Sequence, residues 1–232
     1  MNPEEILAHG ELVVTGRFTN SSNATLLATA SLDEESVTCV YKPESGERPL
    51  WDFPGGLWRR EVAAFVLSER LGFDLIPLTV ARDQGPFGPG SVQLFVEEDM
   101  EHHYFTIRDD PTHHDWLCRL ATFDVVANNS DRKSGHVLLA EGRLWAIDHG
   151  LCFHEEDKLR TVIWDLAGEE LSADLTGALS DVAERGLEEL VDLLSPHEVA
   201  ITAQRAADLL DLGFLPFPDE DAPWPPYPWP LI

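Results

Sequence analysis

The sequence predicts an α+β chain in two lobes, strand-rich in its N-terminal part and mostly helical in its C-terminal part. Three observations carry that reading. Short runs of β-forming residues separated by turn residues crowd the N-terminal part, with one helix-period stretch among them. A polar loop and two short strands then lie between Asp131 and Asp148. Beyond residue 167 the apolar spacing is helical, and Ser195, Pro196 and Glu198 form a capping box with Pro at the first helical position. The chain divides accordingly into an N-lobe, 1–98, with a sheet and one helix, a C-lobe, 99–215, and a Pro- and Trp-rich tail, 216–232.

In chain order, residues 11–18 (ELVVTGRF) and 24–31 (ATLLATAS) read as two strands around a polar turn, 19–23. A third strand, 36–41, leads into Lys42-Pro43. The stretch 44–56 is rich in Gly, Pro and charge and reads as a loop. Residues 57–71 (LWRREVAAFVLSERL) place Val62, Phe65, Val66 and Leu71 at helical spacing, and Gly72 ends the run. This helix carries two acids, Glu61 and Glu69. Two more strands, 75–81 and 91–96, flank a turn-rich segment, and the second enters Glu97-Glu98-Asp99-Met100, where the lobes join.

The pairs His102-His103 and His113-His114 lack the i, i+4 spacing of helix ligands, so they read as surface histidines. Residues 115–126 (DWLCRLATFDVV) form a helix that delivers the polar loop 128–135. Strands 137–139 and 144–147 make a hairpin that ends at Asp148-His149-Gly150. The tail holds seven Pro with Trp224, Tyr227 and Trp229; it reads as extended, its rings packed on its own domain or offered to a partner's aromatic groove.

Composition narrows the function classes. With 232 residues, 44% apolar, the chain is globular and long enough for a substantial core. Cys39, Cys118 and Cys152 are odd in number and far apart, which fits reduced thiols in a cytoplasmic protein. No apolar run reaches the length of a membrane span, and the N-terminus lacks the pattern of an export signal. The formal charge of −26, from 42 acidic against 16 basic residues, repels nucleic-acid backbones and anionic membranes. Lys42, Lys133 and Lys158 are the only lysines.

Two carboxylates at the rim of one hairpin, with a Gly after the second, suit a divalent metal and a phosphate. Protein kinases space an Asp, four residues and an Asn ahead of a D-F-G. Here Asp131 is followed by Arg132-Lys133-Ser134-Gly135, then His136, and Asp148-His149-Gly150 closes the hairpin. Together with Val40-Tyr41-Lys42-Pro43, this pattern resembles the atypical kinases of the phosphatidylinositol 3/4-kinase superfamily, and bacterial type II phosphatidylinositol 4-kinase-like proteins most of all. The segment Asn129–Gly150 carries most of the resemblance, and His136 departs from it, standing where the family has a metal-binding Asn.

The resemblance implies a protein-kinase-like fold and a nucleotide, ATP, bound with Mg²⁺ or Mn²⁺. Backbone and side-chain donors of Ser21, Ser22 and Asn23 would lie over the ATP phosphates, Lys42 would hold them, and Glu61 would orient Lys42. Adenine would meet the backbone at Glu97 and Glu98. Asp131 would take or position the acceptor's proton, Arg132 or Lys133 would stabilise the transferred charge, and His136 and Asp148 would bind metal. An imidazole nitrogen suits Mn²⁺ better than Mg²⁺. The expected acceptor is a hydroxyl on a protein or small molecule, because the acidic surface argues against a membrane lipid. The rival expectations are a pseudokinase, favoured by His136, a nucleotidyl transferase, and a metal-dependent hydrolase built on Asp131, His136 and Asp148.

Overall fold

A five-stranded antiparallel sheet dominates the N-terminal part of the computed structural model, which describes residues 2–19, 23–219 and 221–231. Its strands are β1 (Glu11–Arg17), β2 (Leu26–Leu32), β3 (Glu35–Pro43), β4 (Thr79–Arg82) and β5 (Gly90–Leu94), in the order β1-β2-β3-β5-β4. Alternation along β2 and β3 turns Leu26, Ala28, Ala30, Cys39 and Tyr41 to one face. A short helix that the sequence reading did not foresee, α1 (Pro3–His9), lays Ile6 and Leu7 on that face. Its N-cap is Asn2, whose side chain accepts from the Glu4 N–H.

The third strand is longer than expected and β4 is shorter. Leu75 and Ile76 are core residues, but Pro77 interrupts the strand pattern, and pairing begins only at Thr79. Gly90 faces the end of β3 so closely that a Cβ there would lie 2.4 Å from the Lys42 carbonyl oxygen. That close approach seats the strand carrying Lys42 against β5.

Helix α2 (Leu57–Arg70) connects the two parts. Its residues Ala63, Ala64, Leu67 and, just beyond it, Leu71, with Phe73, Leu75 and Ile76, join the larger of the two cores, whose remaining residues come from C-terminal elements. Those elements are α3 (Tyr104–Ile107), α4 (His114–Val126), the hairpin β6 (Val137–Ala140) and β7 (Arg143–Ala146), α5 (Ala173–Arg185) and α6 (Pro196–Leu212). The expected capping box at α6 is present, with Ser195 and Glu198 each accepting from the other's backbone N–H. Gly213 ends that helix at φ 78°. The predicted helical stretch 167–194 contains α5 alone as an α-helix, because Glu170 bridges Phe214 before the helix begins and Gly186, at φ 73°, ends it.

The tail lies on the chain's own C-terminal part. The Pro226 carbonyl accepts from Thr161 N–H (3.1 Å) and Trp164 Nε1–H (3.0 Å), and the Leu231 carbonyl accepts from Ser134 N–H (2.9 Å). Among the described residues no helix is long and apolar enough to cross a membrane, and the three cysteines are free.

Candidate active site

The face between the sheet and the hairpin gathers Lys42, Glu61, Asp131, Lys133, His136 and Asp148. Lys42, on β3, places Nζ 2.5 Å from Glu61 Oε1 and 3.0 Å from Asp148 Oδ1. The second oxygen of Glu61 accepts from the His149 N–H at 3.0 Å. One carboxylate on α2 therefore ties the strand lysine to the backbone of the D-H-G turn. Gly150 makes the approach possible, since a Cβ there would stand 3.3 Å from Glu61 Oε1. Glu69, the other helix acid, is exposed.

The electrostatics follow from that packing. Burial works against the Lys42 charge, but the Asp148 and Glu61 carboxylates outweigh it and hold the ammonium pKa above its ordinary value. Burial raises Glu61, with Lys42 opposing. The Lys42 ammonium keeps the Asp148 carboxyl ionised well below the usual carboxylate range. Asp148 sits at φ 62°, a left-handed conformation that costs a non-glycine residue energy and often marks functional turns.

Asp131 lies on the loop after α4. Its Oδ2 meets Lys133 Nζ at 2.5 Å, and its N–H donates to Asn129 Oδ1 at 3.0 Å. Burial raises the Asp131 pKa, opposed by Lys133. Beneath it, Asp124 at the end of α4 is fully buried and grips Arg132 through Nε (2.9 Å) and Nη2 (2.9 Å), while Asn129 Nδ2 donates to the same carboxylate. Arg132 also donates to His149 Nε2 (2.7 Å) and to the Ile147 carbonyl (3.1 Å). Arginine is a donor only, so the neutral His149 carries its proton on Nδ1.

These positions sort the expected site residues. Arg132 corrects the expectation that it touches transferred phosphoryl, because its side chain is 0% exposed and its donors are spent inside the loop. Lys133 is partly exposed and pairs with Asp131. Asp124, buried against Arg132, is closed to substrate. Asn23 accepts from the Arg48 N–H (2.9 Å), so its side chain braces the loop after β3. Ser21 and Ser22 lie outside the described residues.

Glu97 and Glu98 are exposed on the connection after β5. Among the described residues, no backbone hydrogen bond engages Val96, Glu97 or Glu98, while Asp99 N–H is held by the Leu139 carbonyl. Asp52, of the sequence Asp52-Phe53-Pro54-Gly55, pairs with buried Lys158 at 3.0 Å, among the rings of Trp51, Phe53 and Trp224. That cluster was not anticipated, and neither was the pair Arg60–Glu198, which ties α2 to α6. Arg60 stands in a largely apolar helix run that hints at its burial, whereas Lys158, directly after Glu155-Glu156-Asp157, carries no such signal.

The donor set fits a divalent metal that takes most of its ligands from phosphates and water. His136 Nε2 and Asp148 Oδ2 face each other at 3.4 Å, and burial pushes the His136 pKa down to about 4, leaving the imidazole neutral. No cluster of three or more His, Cys, Asp or Glu capable of holding a metal occurs among the described residues. Asn128 and Asn129, which could have replaced His136, are committed elsewhere, Asn128 to the backbone of residues 154, 156 and 158.

Comparison with known proteins agrees with this architecture. No protein-family model matches the chain. Protein Rv2133c of Mycobacterium tuberculosis is 38% identical over 266 aligned positions, which span 98% of this chain and 94% of that protein. Among solved structures, the Golgi casein kinase superposes with a TM-score of 0.53 at 14% identity, over 90% of this chain and 74% of that one. The Helicobacter pylori proinflammatory kinase CtkA gives 0.52 at 11% identity, over 90% and 94%. Hydra Fam20 with sugar gives 0.53 at 12%, over 90% and 86%. At these identities the likeness is one of fold, and the fold is protein-kinase-like.

Proposed function

We propose that this chain, which belongs to the same family as the mycobacterial Protein Rv2133c, is an ATP- and divalent-metal-dependent phosphotransferase acting on a protein or small-molecule hydroxyl. The observation that carries the reading is Lys42 held between Glu61 and Asp148, a strand lysine, a helix acid and a turn acid brought together from 106 positions of chain. That constellation positions phosphates in kinase-like folds. The likeness to Golgi casein kinase, CtkA and Fam20 supports it at the level of the fold. The motifs Val40–Pro43, Asp131-Arg132 and Asp148–Gly150 support membership of the phosphatidylinositol 3/4-kinase superfamily, while the charge of −26 sets membrane lipid aside as acceptor.

The roles follow from position. Lys42 binds ATP phosphates, and Glu61 holds it in place. The free backbone at Val96–Glu98 offers hydrogen bonds to the adenine edge. Asp131, raised by burial but paired with Lys133, accepts the proton of the attacking hydroxyl, and Lys133 compensates charge on the phosphoryl group. His136 and Asp148 would hold a divalent metal, which would neutralise phosphate charge when bound.

A pseudokinase is the second reading, favoured by His136 at the position of an expected Asn. Melting temperature with ATP and Mg²⁺ or Mn²⁺ tests the binding half of the proposal. Metal-dependent stabilisation should appear in the native chain and be largely lost in Asp148→Ala. An undiminished shift in the variant would remove Asp148 from the metal site.

A further inference from the structure

The segment after the D-H-G turn returns beside the loop that bears Asp131. Arg132 and Thr161 form a parallel bridge, Arg160 N–H donates to the Asn129 carbonyl (2.9 Å), and Arg132 N–H donates to the Arg160 carbonyl (3.0 Å). Side chains alternate across such a pair. Arg132 and Thr161 are buried, so their neighbours Asp131 and Arg160, both partly exposed, lie side by side on the opposite face. The Arg160 charge also reaches Asp131, opposing the effect of burial there.

Arg160 is set apart from the other cations of this region. Its Nε is buried without a hydrogen-bond partner, and among the described residues its guanidinium has no carboxylate within salt-bridge distance. Lys42, Arg60, Arg132, Lys133 and Lys158 each face a carboxylate. With 42 acidic residues against 16 basic ones, carboxylates are abundant, and a partly desolvated guanidinium that lies beside the proposed general base yet pairs with no carboxylate is suited to an anion from outside.

The tail limits what can bring that anion. An extended polypeptide docks by pairing with free backbone groups. Here the Thr161 and Ser134 N–H groups are already taken, by the carbonyls of Pro226 and Leu231.

We propose that Arg160 is the acceptor-recognising residue of this site, and that the acceptor is a small hydroxyl compound carrying a phosphate or carboxylate group. The proposal rests on the phosphotransferase reading. The acceptor's anion docks on Arg160, which sets its hydroxyl against Asp131. The hydroxyl oxygen forms a bond to the γ-phosphorus of ATP, the bond from that phosphorus to the β–γ bridging oxygen breaks, the proton passes to Asp131, and ADP leaves.

The test is a titration of inorganic phosphate into the full chain saturated with Mg²⁺ and a non-hydrolysable ATP analogue, read by calorimetry. The native chain should bind phosphate, and Arg160→Ala should weaken that binding at least about tenfold, as loss of a charge-assisted hydrogen bond implies. Arg160→Lys should retain part of it. Stabilisation by the analogue reports folding of each variant. Phosphate bound equally by native chain and Arg160→Ala, or by neither, would overturn the proposal. Failure of the analogue to bind the native chain would overturn the phosphotransferase reading itself, a separate outcome. A parallel arm offers glycerol 3-phosphate and vesicles of phosphatidylcholine with phosphatidylserine. Arg160-dependent binding of the vesicles but not of glycerol 3-phosphate would assign the site to a lipid head group and overturn the small-molecule class.

Discussion

Asp124 and Arg132 are eight positions apart, yet their side chains meet twice, at 2.9 Å each, in a place from which solvent is excluded. The pair bends the end of α4 back onto the loop it precedes, and Asn129 on the same carboxylate passes that order to the Asp131 backbone. Removing one partner of such a buried pair leaves the other charge uncompensated, at a cost of about 3–5 kcal/mol. Asp124→Ala should lose that much stability in denaturant titration. A loss below about 1 kcal/mol would mean that water or another group replaces the carboxylate.

Lys42→Met should remove ATP-dependent stabilisation while leaving the chain folded, because Asp148 remains accessible to water and Glu61 keeps its bond from His149. Glu61→Gln should act more mildly: the amide oxygen can still accept from one partner, so nucleotide affinity should fall by about tenfold rather than vanish. Calorimetry with ATP reads both. Equal effects of the two substitutions would contradict a supporting role for Glu61.

The pH dependence of stability carries the mark of His136. Its pKa falls from 6.5 to about 4 on folding, chiefly through burial, with Asp148 opposing. Between those values the unfolded chain binds a proton that the native chain does not, so stability rises with pH across the window and falls on acidification through it. His136→Asn should flatten the curve between pH 6.5 and about 4, measured by chemical denaturation. An unchanged slope would show that His136 keeps its proton in the native chain.

How much of this was legible in the sequence depended on distance along the chain. The D-H-G turn and Val40–Pro43 could be read because each is a contiguous string on or beside a strand. Glu61 was placed beside Lys42 by the resemblance, whereas apolar spacing on α2 left Glu69 as a rival, because the choice depends on how the helix docks against β3 and the D-H-G turn. Arg132 was misread because Asp-Arg is a local pattern whereas its burial depends on Asp124, His149 and the Ile147 carbonyl together. The seat of the tail was open between its own domain and a partner, because it is fixed by backbone carbonyls of Pro226 and Leu231 that any sequence would offer. Helix α1 escaped notice because seven residues give too little periodicity to recognise.

Trp224 and Trp229 differ in what their rings touch, although the backbone is anchored on both sides of Trp229 by Pro226 and Leu231. Trp224 stands 5.3 Å from the buried Lys158 ammonium, whereas Trp229 is 89% exposed. A desolvated cation–π contact contributes about 0.5–2 kcal/mol. Trp224→Ala should cost stability in that range and expose the tail to proteolysis, and Trp229→Ala should change stability by less than about 0.5 kcal/mol. Equal effects of the two would contradict docking through Trp224.

If Lys42, Asp131 and Asp148 serve phosphoryl transfer, the nucleotide product reports it. Incubation of the full chain with ATP and Mg²⁺ or Mn²⁺, followed by chromatographic separation of nucleotides, should yield ADP. Asp131→Asn should lower the rate by about 10²–10⁴-fold, the contribution of a positioned general base, without abolishing ATP binding. Accumulation of AMP with pyrophosphate, or ADP formed equally fast by Asp131→Asn, would contradict the account.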